Sequence, residues 1–258
     1  MVRIVTAAVI MIGDELLSGR TQDSNLKTIA QFLNPLGVEV REARVIPDVH
    51  ETIIAAVRAM AERYNYAFTT GGIGPTHDDI TADAVAEAFG RKIDVRPDAR
   101  KILEDWYAGR GQEMNEGRLR MARIPEGAEL ILNPVSAAPG FRIGNVFVMA
   151  GVPSVMRGML EDIAHRLEGG AVVHAHTVRA AGVREGDIAG PLADLAKARP
   201  EVNFGSYPSM RAKGTKVEFS VSLVARSRDE DAVAAAVTAL EEIIRAQGGT
   251  PEVDPDKE

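Results

Sequence analysis

The 258-residue chain is long enough for one large domain, or for one of medium size and one small. Its 45% hydrophobic and 26% charged residues are ordinary for a soluble globular protein, and 30 Lys plus Arg against 37 Asp plus Glu, a formal charge of −7, speak against nucleic acid or an anionic membrane as partner. The absence of cysteine excludes disulfides, thiolate metal sites and cysteine nucleophiles; with no secretory pattern and no apolar run near the ~20 residues of a membrane span, a cytoplasmic location is expected.

Residues 5–12 are a near-continuous apolar run, the mark of a strand buried on both faces in a parallel sheet. After Gly13-Asp14-Glu15-Leu16-Leu17-Ser18-Gly19, Asp23 or Ser24 caps a helix whose Leu26, Ile29, Ala30 and Leu33 share one face. A strand at 38–45, a helix opened by Pro47-Asp48 with Ile53, Val57 and Met60 inward, a strand at 66–70 and a helix at 80–89 follow. This βαβαβα order predicts an α/β fold, a doubly wound α/β/α sandwich whose ligands bind at the carboxyl ends of the strands. A helix begins at Pro97 with Ile102, Leu103 and Trp106 on one face, where Trp106 reads as packing, and Asn115 caps a shorter one. Strands are expected at 130–132, 141–143 and 146–149, the last two joined by a Gly144-Asn145 turn, before a helix from Gly151-Val152-Pro153-Ser154 to about Leu167. Glu168-Gly169-Gly170 marks a boundary, giving a first domain of 1–168. Residues 171–248 predict a second, smaller α+β domain in βαββα order, and the tail 249–258, with Pro251 and Pro255, is expected to be disordered.

The chemistry concentrates between the third strand and its helix, in Thr70-Gly71-Gly72-Ile73-Gly74-Pro75-Thr76-His77-Asp78-Asp79. A strand entering a glycine-rich turn and then a helix presents free N–H groups to an anion, most often phosphate. Gly71, Gly72 and Gly74 permit close backbone approach and Pro75 stiffens the turn. The dinucleotide fingerprint fails at His77, and no Gly-Lys-Ser/Thr follows to make a P-loop. Asp78 and Asp79 beside a phosphate would repel it, so the loop suggests a phosphorylated small molecule with a divalent metal. Asp79 serves as metal ligand or orienter of an attacking water, or else as a helix N-cap; Asp48 carries the same ambiguity, and Asp78 is a second ligand or a solvated neighbour. Glu15 binds a ligand hydroxyl or metal, or caps its own loop. The segments 13–19, 47–48 and 71–79 all leave strand carboxyl ends and can line one crevice, to which the helix start at Gly151, Pro153 and Ser154 contributes. Arg118, Arg120 and Arg123 read as a solvated helix face, His77 as incidental, and His174 with His176 as structural on one strand face.

These residues resemble the signature of the molybdopterin-binding superfamily of Mog- and MoaB-like proteins, and within it the competence/damage-inducible protein A (CinA) family. Supporting matches are Gly13–Gly19 with Asp23-Ser24-Asn25, Pro47-Asp48, Asn133-Pro134, Ala138-Pro139-Gly140-Phe141 and Gly151-Val152-Pro153-Ser154, with Tyr207-Pro208 in the small domain. The resemblance implies a ligand site of Gly13, Glu15, Asn25, Thr70, Gly71, Gly72, Gly74, Pro75, Thr76, Gly151, Pro153 and Ser154, catalytic Asp79 and Asp48, metal ligands Asp78 and Asp79, and a homo-oligomer. It implies a pyrophosphatase acting on ADP-ribose-like dinucleotides with Mg, Mn or Co; the alternatives are a molybdopterin-binding protein of molybdenum cofactor biosynthesis, or a ligand-binding protein without catalysis. Two departures stand out: Val155 replaces the family's usual Glu, and Ser136-Ala137 a Gly-Thr pair. With the sequence ending at Glu258, the family's C-terminal nicotinamide-mononucleotide deamidase domain is not expected, and its activity is not carried over.

Overall fold

The structure, a computed structural model, describes residues 3–213 and 216–254. The chain divides into two units, Met1–Ala171 and Val172–Glu258. The first runs β1 (Val5–Ile12), α1 (Asp14–Leu17), α2 (Asn25–Leu33), β2 (Val38–Ile46), α3 (His50–Arg63), β3 (Tyr66–Thr70), α4 (Thr81–Ala88), β4 (Ile93–Val95), α5 (Pro97–Ala108), α6 (Glu116–Arg120), β5 (Arg123–Pro125), β6 (Glu129–Ile131), β7 (Gly140–Ile143), β8 (Val146–Met149) and α7 (Pro153–Ile163). Six strands make one sheet in the order β2-β1-β3-β8-β7-β6, parallel from β2 to β8 and antiparallel beyond.

The apolar run of β1 explains the three layers. Ala8, Ile10 and Ile12 join a core with Ile53, Val57 and Met60 of α3, Val85 of α4 and Leu103 of α5. Val5, Ala7, Val9 and Met11 point the other way, into a core with Ile29 and Leu33 of α2 and Met156, Leu160 and Ile163 of α7. A strand buried on both faces needs apolar residues throughout, which is why β1 shows no alternation. In the second core Phe68 and Phe147, paired across β3 and β8, stack with ring centroids 5.1 Å apart, worth about 0.5–1.5 kcal/mol beyond their burial.

The second unit comprises β9 (His174–Ala181), α8 (Glu185–Ala198), β10 (Asn203–Lys213), β11 (Lys216–Ser227), α9 (Glu230–Ala246) and β12 (Thr250–Asp254), with sheet order β10-β11-β9-β12. Val178, Ala180, Val221 and Leu223 form its core with Ile188 of α8 and Leu240 and Ile244 of α9. The expected disorder of the tail is corrected here, since 250–254 pair antiparallel with β9, with residues 255–258 outside those described. Pro251 argued against a strand, but β12 is an edge strand, where a missing N–H is tolerated. Pro208 sits likewise in the other edge strand, β10. The pair β4–β5 escaped the sequence reading, because three residues per strand are too few to show alternation. Among the described residues no helix is long and apolar enough to cross a membrane.

Candidate functional site

Loops leaving the carboxyl ends of four adjacent parallel strands meet above the sheet. They run from β1 into α1, from β2 through Pro47-Asp48, from β3 through the glycine loop and from β8 into α7. With Ser136, Ala138 and Met121 they enclose a cleft of about 570 Å³, a size usual for small-molecule sites.

The glycines of the third loop are required by the chain itself. Gly71 and Gly72 hold φ of 104° and 68°, in the left-handed region. A Cβ on Gly71 would collide with the Ile12 carbonyl at the end of β1, and one on Gly72 with the Thr81 hydroxyl at the start of α4. Gly74 has no such φ, but a Cβ there would lie 2.7 Å from Asp79 Oδ2. The loop is therefore folded back tightly on β1 and α4, and its glycines serve that packing before any ligand arrives.

Asp79 belongs to the same internal framework. Its Oδ2 accepts from the Thr76 backbone N–H at 2.8 Å and from the Thr76 hydroxyl at 2.5 Å. The Arg120 guanidinium donates to the Asp79 carbonyl at 2.9 Å, while Arg123 grips both Asp83 oxygens at 2.7 and 2.5 Å. Arg118 lies over the Tyr107 ring and donates to Gln112. Arg120 and Arg123 thus brace the loop and α4 while Arg118 packs on Tyr107 of α5, correcting their reading as a solvated face. Nor does Asp79 cap α4, whose N-cap is Ile80 without a side-chain acceptor. Asp78 is exposed, and its carboxyl is held below the usual range, first by the Thr76 hydroxyl and next by a backbone N–H.

Asp48 is differently placed. It does not cap α3, whose N-cap is Val49; its Oδ2 accepts the Asp14 N–H at 3.0 Å, tying the loop after β2 to the loop after β1. Burial raises its carboxyl above the usual value, opposed by that N–H and reinforced by the charges of Asp14, Glu15 and Asp78.

Of the expected site residues, Gly13, Glu15, Asp48, Gly71, Gly72, Gly74, Pro75, Asp78, Asp79, Gly151 and Pro153 line the cleft. Thr70, Thr76, Asn25 and Ser154 do not. Thr70 is buried at the end of β3, Thr76 is turned to Asp79, and Ser154 is exposed away from the lining. Asn25 is buried and donates from Nδ2 to the Gly151 carbonyl at 2.7 Å, holding the turn before α7 against α2. Sequence reading missed the apolar lining, with Ile73, Met121, Val152 and Val155 chief among it. Val155 was visible as a departure from the family pattern, and Ser136 and Ala138 lie in a loop of small residues; Met121 carried no signal.

This architecture has known relatives. Residues 8–169 match the family model described as "Probable molybdopterin binding domain". The chain belongs to that molybdopterin-binding domain family. Its second part, residues 173–251, matches the middle domain of FAD synthase. A protein of Pyrobaculum calidifontis is 35% identical over 253 residues, covering 94% of this chain and 97% of its own length. A CinA-like protein of Desulfosudis oleivorans is 36% identical over 209 residues, 77% of this chain, and the chain spans about half (51%) of that relative's length. The crystal structure of a CinA protein of unknown function from Thermoplasma acidophilum aligns with a TM-score of 0.58 at 34% identity, covering 62% of this chain and 96% of that one. The CinA-like resemblance read from the motifs and the molybdopterin-binding fold thus stand together.

Proposed function

We propose that this CinA-like chain hydrolyses the diphosphate linkage of an ADP-ribose-like dinucleotide with the help of a divalent cation. One observation carries the reading. The cleft presents Glu15, Asp48, Asp78 and Asp79 but no Lys, Arg or His side chain among its described lining residues. A diphosphate entering alone would meet only like charge, so a cation must accompany it. The lining supplies carboxylate oxygens, the donor type hard divalent cations take, although among the described residues no group of three or more His, Cys, Asp or Glu is arranged to hold a metal unaided. Asp78 and Asp79 would hold a Mg, Mn or Co ion that enters with the diphosphate. When bound, the ion supplies charge screening and polarisation of the phosphoryl oxygen.

The chain's own groups supply the rest. Asp48, with its raised pKa, accepts a proton from water as the water oxygen bonds to phosphorus. The bond from phosphorus to the bridging oxygen breaks, leaving two phosphate monoesters. At the start of α7, Pro153 has no N–H and Met156 N–H is taken by the Val152 carbonyl, which leaves the Ser154 and Val155 N–H groups as candidates to donate to phosphate oxygens. The deciding assay is cleavage of ADP-ribose across a Mg, Mn and Co series, with AMP and ribose phosphate quantified. No product with any metal sinks the hydrolase reading. The family description favours a second reading, a molybdopterin-binding protein, and Val155 in place of a carboxylate favours a ligand-binding protein without catalysis; either gives binding without turnover.

A further inference from the structure

The cleft is chemically divided along the sheet. Its carboxylates stand on the loops after β2, β1 and β3. At the β8 and β7 end the wall is made by Val152, Val155 and Ala138, with Ser136 the one polar side chain described there, while Met121 follows Arg120, which holds the Asp79 carbonyl. Val155 is 8% exposed and Val152 58%, so one forms the floor and the other a rim. The Gly151 carbonyl at this end is already engaged by Asn25 Nδ2. With strands spaced ~4.8 Å apart, the loops after β2 and β8 stand about three spacings, roughly 14 Å, from one another. That separation is comparable with the reach of an extended nucleoside diphosphate.

We infer that the ligand's aromatic ring lies against Val155 and Val152, in a subsite that holds nucleoside diphosphates without reading the base. The inference rests on the cleft being the nucleotide site proposed above. Ring N–H and exocyclic amino groups need acceptors, and this wall offers no carboxylate or amide side chain. The Ser136 hydroxyl, the one polar side chain described at this wall, donates and accepts, so it serves the ring acceptors and donors of every base alike. A site discriminates strongly only where it hydrogen-bonds a substrate group, and weakly where it offers apolar contact. Val155 is therefore the specificity-determining position: a carboxylate there would face the ring's donors.

Calorimetric titration of the full chain with ADP, IDP and GDP in the presence of Mg tests this, beside turnover of the matching diphosphate-linked sugars. Wild-type affinities for the three bases are expected to agree within about 10-fold. Val155→Ala should weaken all three by the same factor, about 3–10-fold, through lost apolar contact. Val155→Glu should favour GDP over IDP, which differ by the 2-amino group alone, by at least about 10-fold. A wild-type separation above ~100-fold overturns the inference, as does Val155→Ala with all three affinities unchanged or no affinity for any of the three. A folded Val155→Glu with the IDP to GDP ratio unchanged overturns it too. Equal binding without turnover supports the ring subsite and removes the hydrolase, whereas turnover confined to one base removes the subsite and leaves the hydrolase.

Discussion

Asp79 and Asp48 stand at the ends of two parallel strands of one sheet, line one cleft, and have opposite surroundings. Asp79 gives an oxygen to two donors of Thr76 and hangs its carbonyl on Arg120. Its charge is largely answered within its own loop. Asp48 receives one backbone N–H and otherwise faces burial and the charges of Asp14, Glu15 and Asp78. A carboxylate satisfied by its own loop shapes a site; one left short of donors among like charges is ready to take a proton or meet a cation. The comparison moves the chemical weight from the glycine loop, which drew attention in the sequence, to the corner between β1 and β2.

The sharpest way to break this contrast is at Gly72. A valine there meets a left-handed φ and the Thr81 hydroxyl, and strain plus overpacking predict a loss of about 3 kcal/mol in urea unfolding. Wild-type stability in Gly72→Val would return the loop to a purely ligand-shaped role. Next comes Asp48→Asn, which keeps an oxygen for the Asp14 N–H but cannot accept the water's proton. Turnover should fall at least ~100-fold, about 2.7 kcal/mol in the barrier, with folding intact. Asp79→Asn should cost about 0.5–1.5 kcal/mol of stability as the charge-assisted Thr76 bonds weaken, and should lower turnover less than Asp48→Asn. The reverse order of those two rates would put Asp79, as metal ligand or orienter of the attacking water, ahead of Asp48.

The pH dependence follows from the same asymmetry. Asp48 has a raised folded-state pKa, so the folded protein holds that proton more tightly than the unfolded chain. Its contribution is fully present below the unfolded value and is lost as pH rises from there through the folded pKa. Asp48→Asn should therefore melt higher than wild type at neutral pH and lose that advantage in acid. Mg with a nucleotide should narrow the difference at neutral pH. An advantage that grew on acidification would contradict the assignment. The smallest expected effect is at Ala137, the one non-glycine residue with positive φ among those described, at 58°. Ala137→Gly relieves left-handed strain at some cost in unfolded-chain entropy, a net gain of about 0.5–1 kcal/mol, read as a higher Tm.

Much of the first unit was legible because its signals are local. β1 announces its double burial by composition, α2 by its spacing, and the Gly144-Asn145 turn by its residues, with Gly144 at a φ of 58°. The crevice could be anticipated because parallel strands put their loops on one edge. The role of each aspartate could not, because it depends on partners far along the chain: Asp14 for Asp48, Arg120 for Asp79. Asp48 looked like a cap beside Pro47 but does not cap α3, whereas Asp23, just before the N-cap Ser24, accepts the Leu26 N–H at 3.0 Å. The apolar wall stayed hidden for a like reason. Met121 reads as an ordinary hydrophobic residue, and Val155 stands out only against the family pattern, until folding sets both beside the same opening.

The pairing of β12 with β9 has a consequence for synthesis. β9 is an interior strand of its sheet because residues 250–254 cover one side of it. Those residues leave the ribosome about 70 positions after β9, which at ~5–20 residues per second is a delay of several seconds. For that interval β9 is an open edge, with Val178 and Ala180 among its residues and a row of unmet backbone donors and acceptors. The first unit has by then been translated in full, so the nascent chain carries a finished domain beside an unfinished sheet. Any delay between α9 and β12 prolongs the time in which a second chain can take the place of β12.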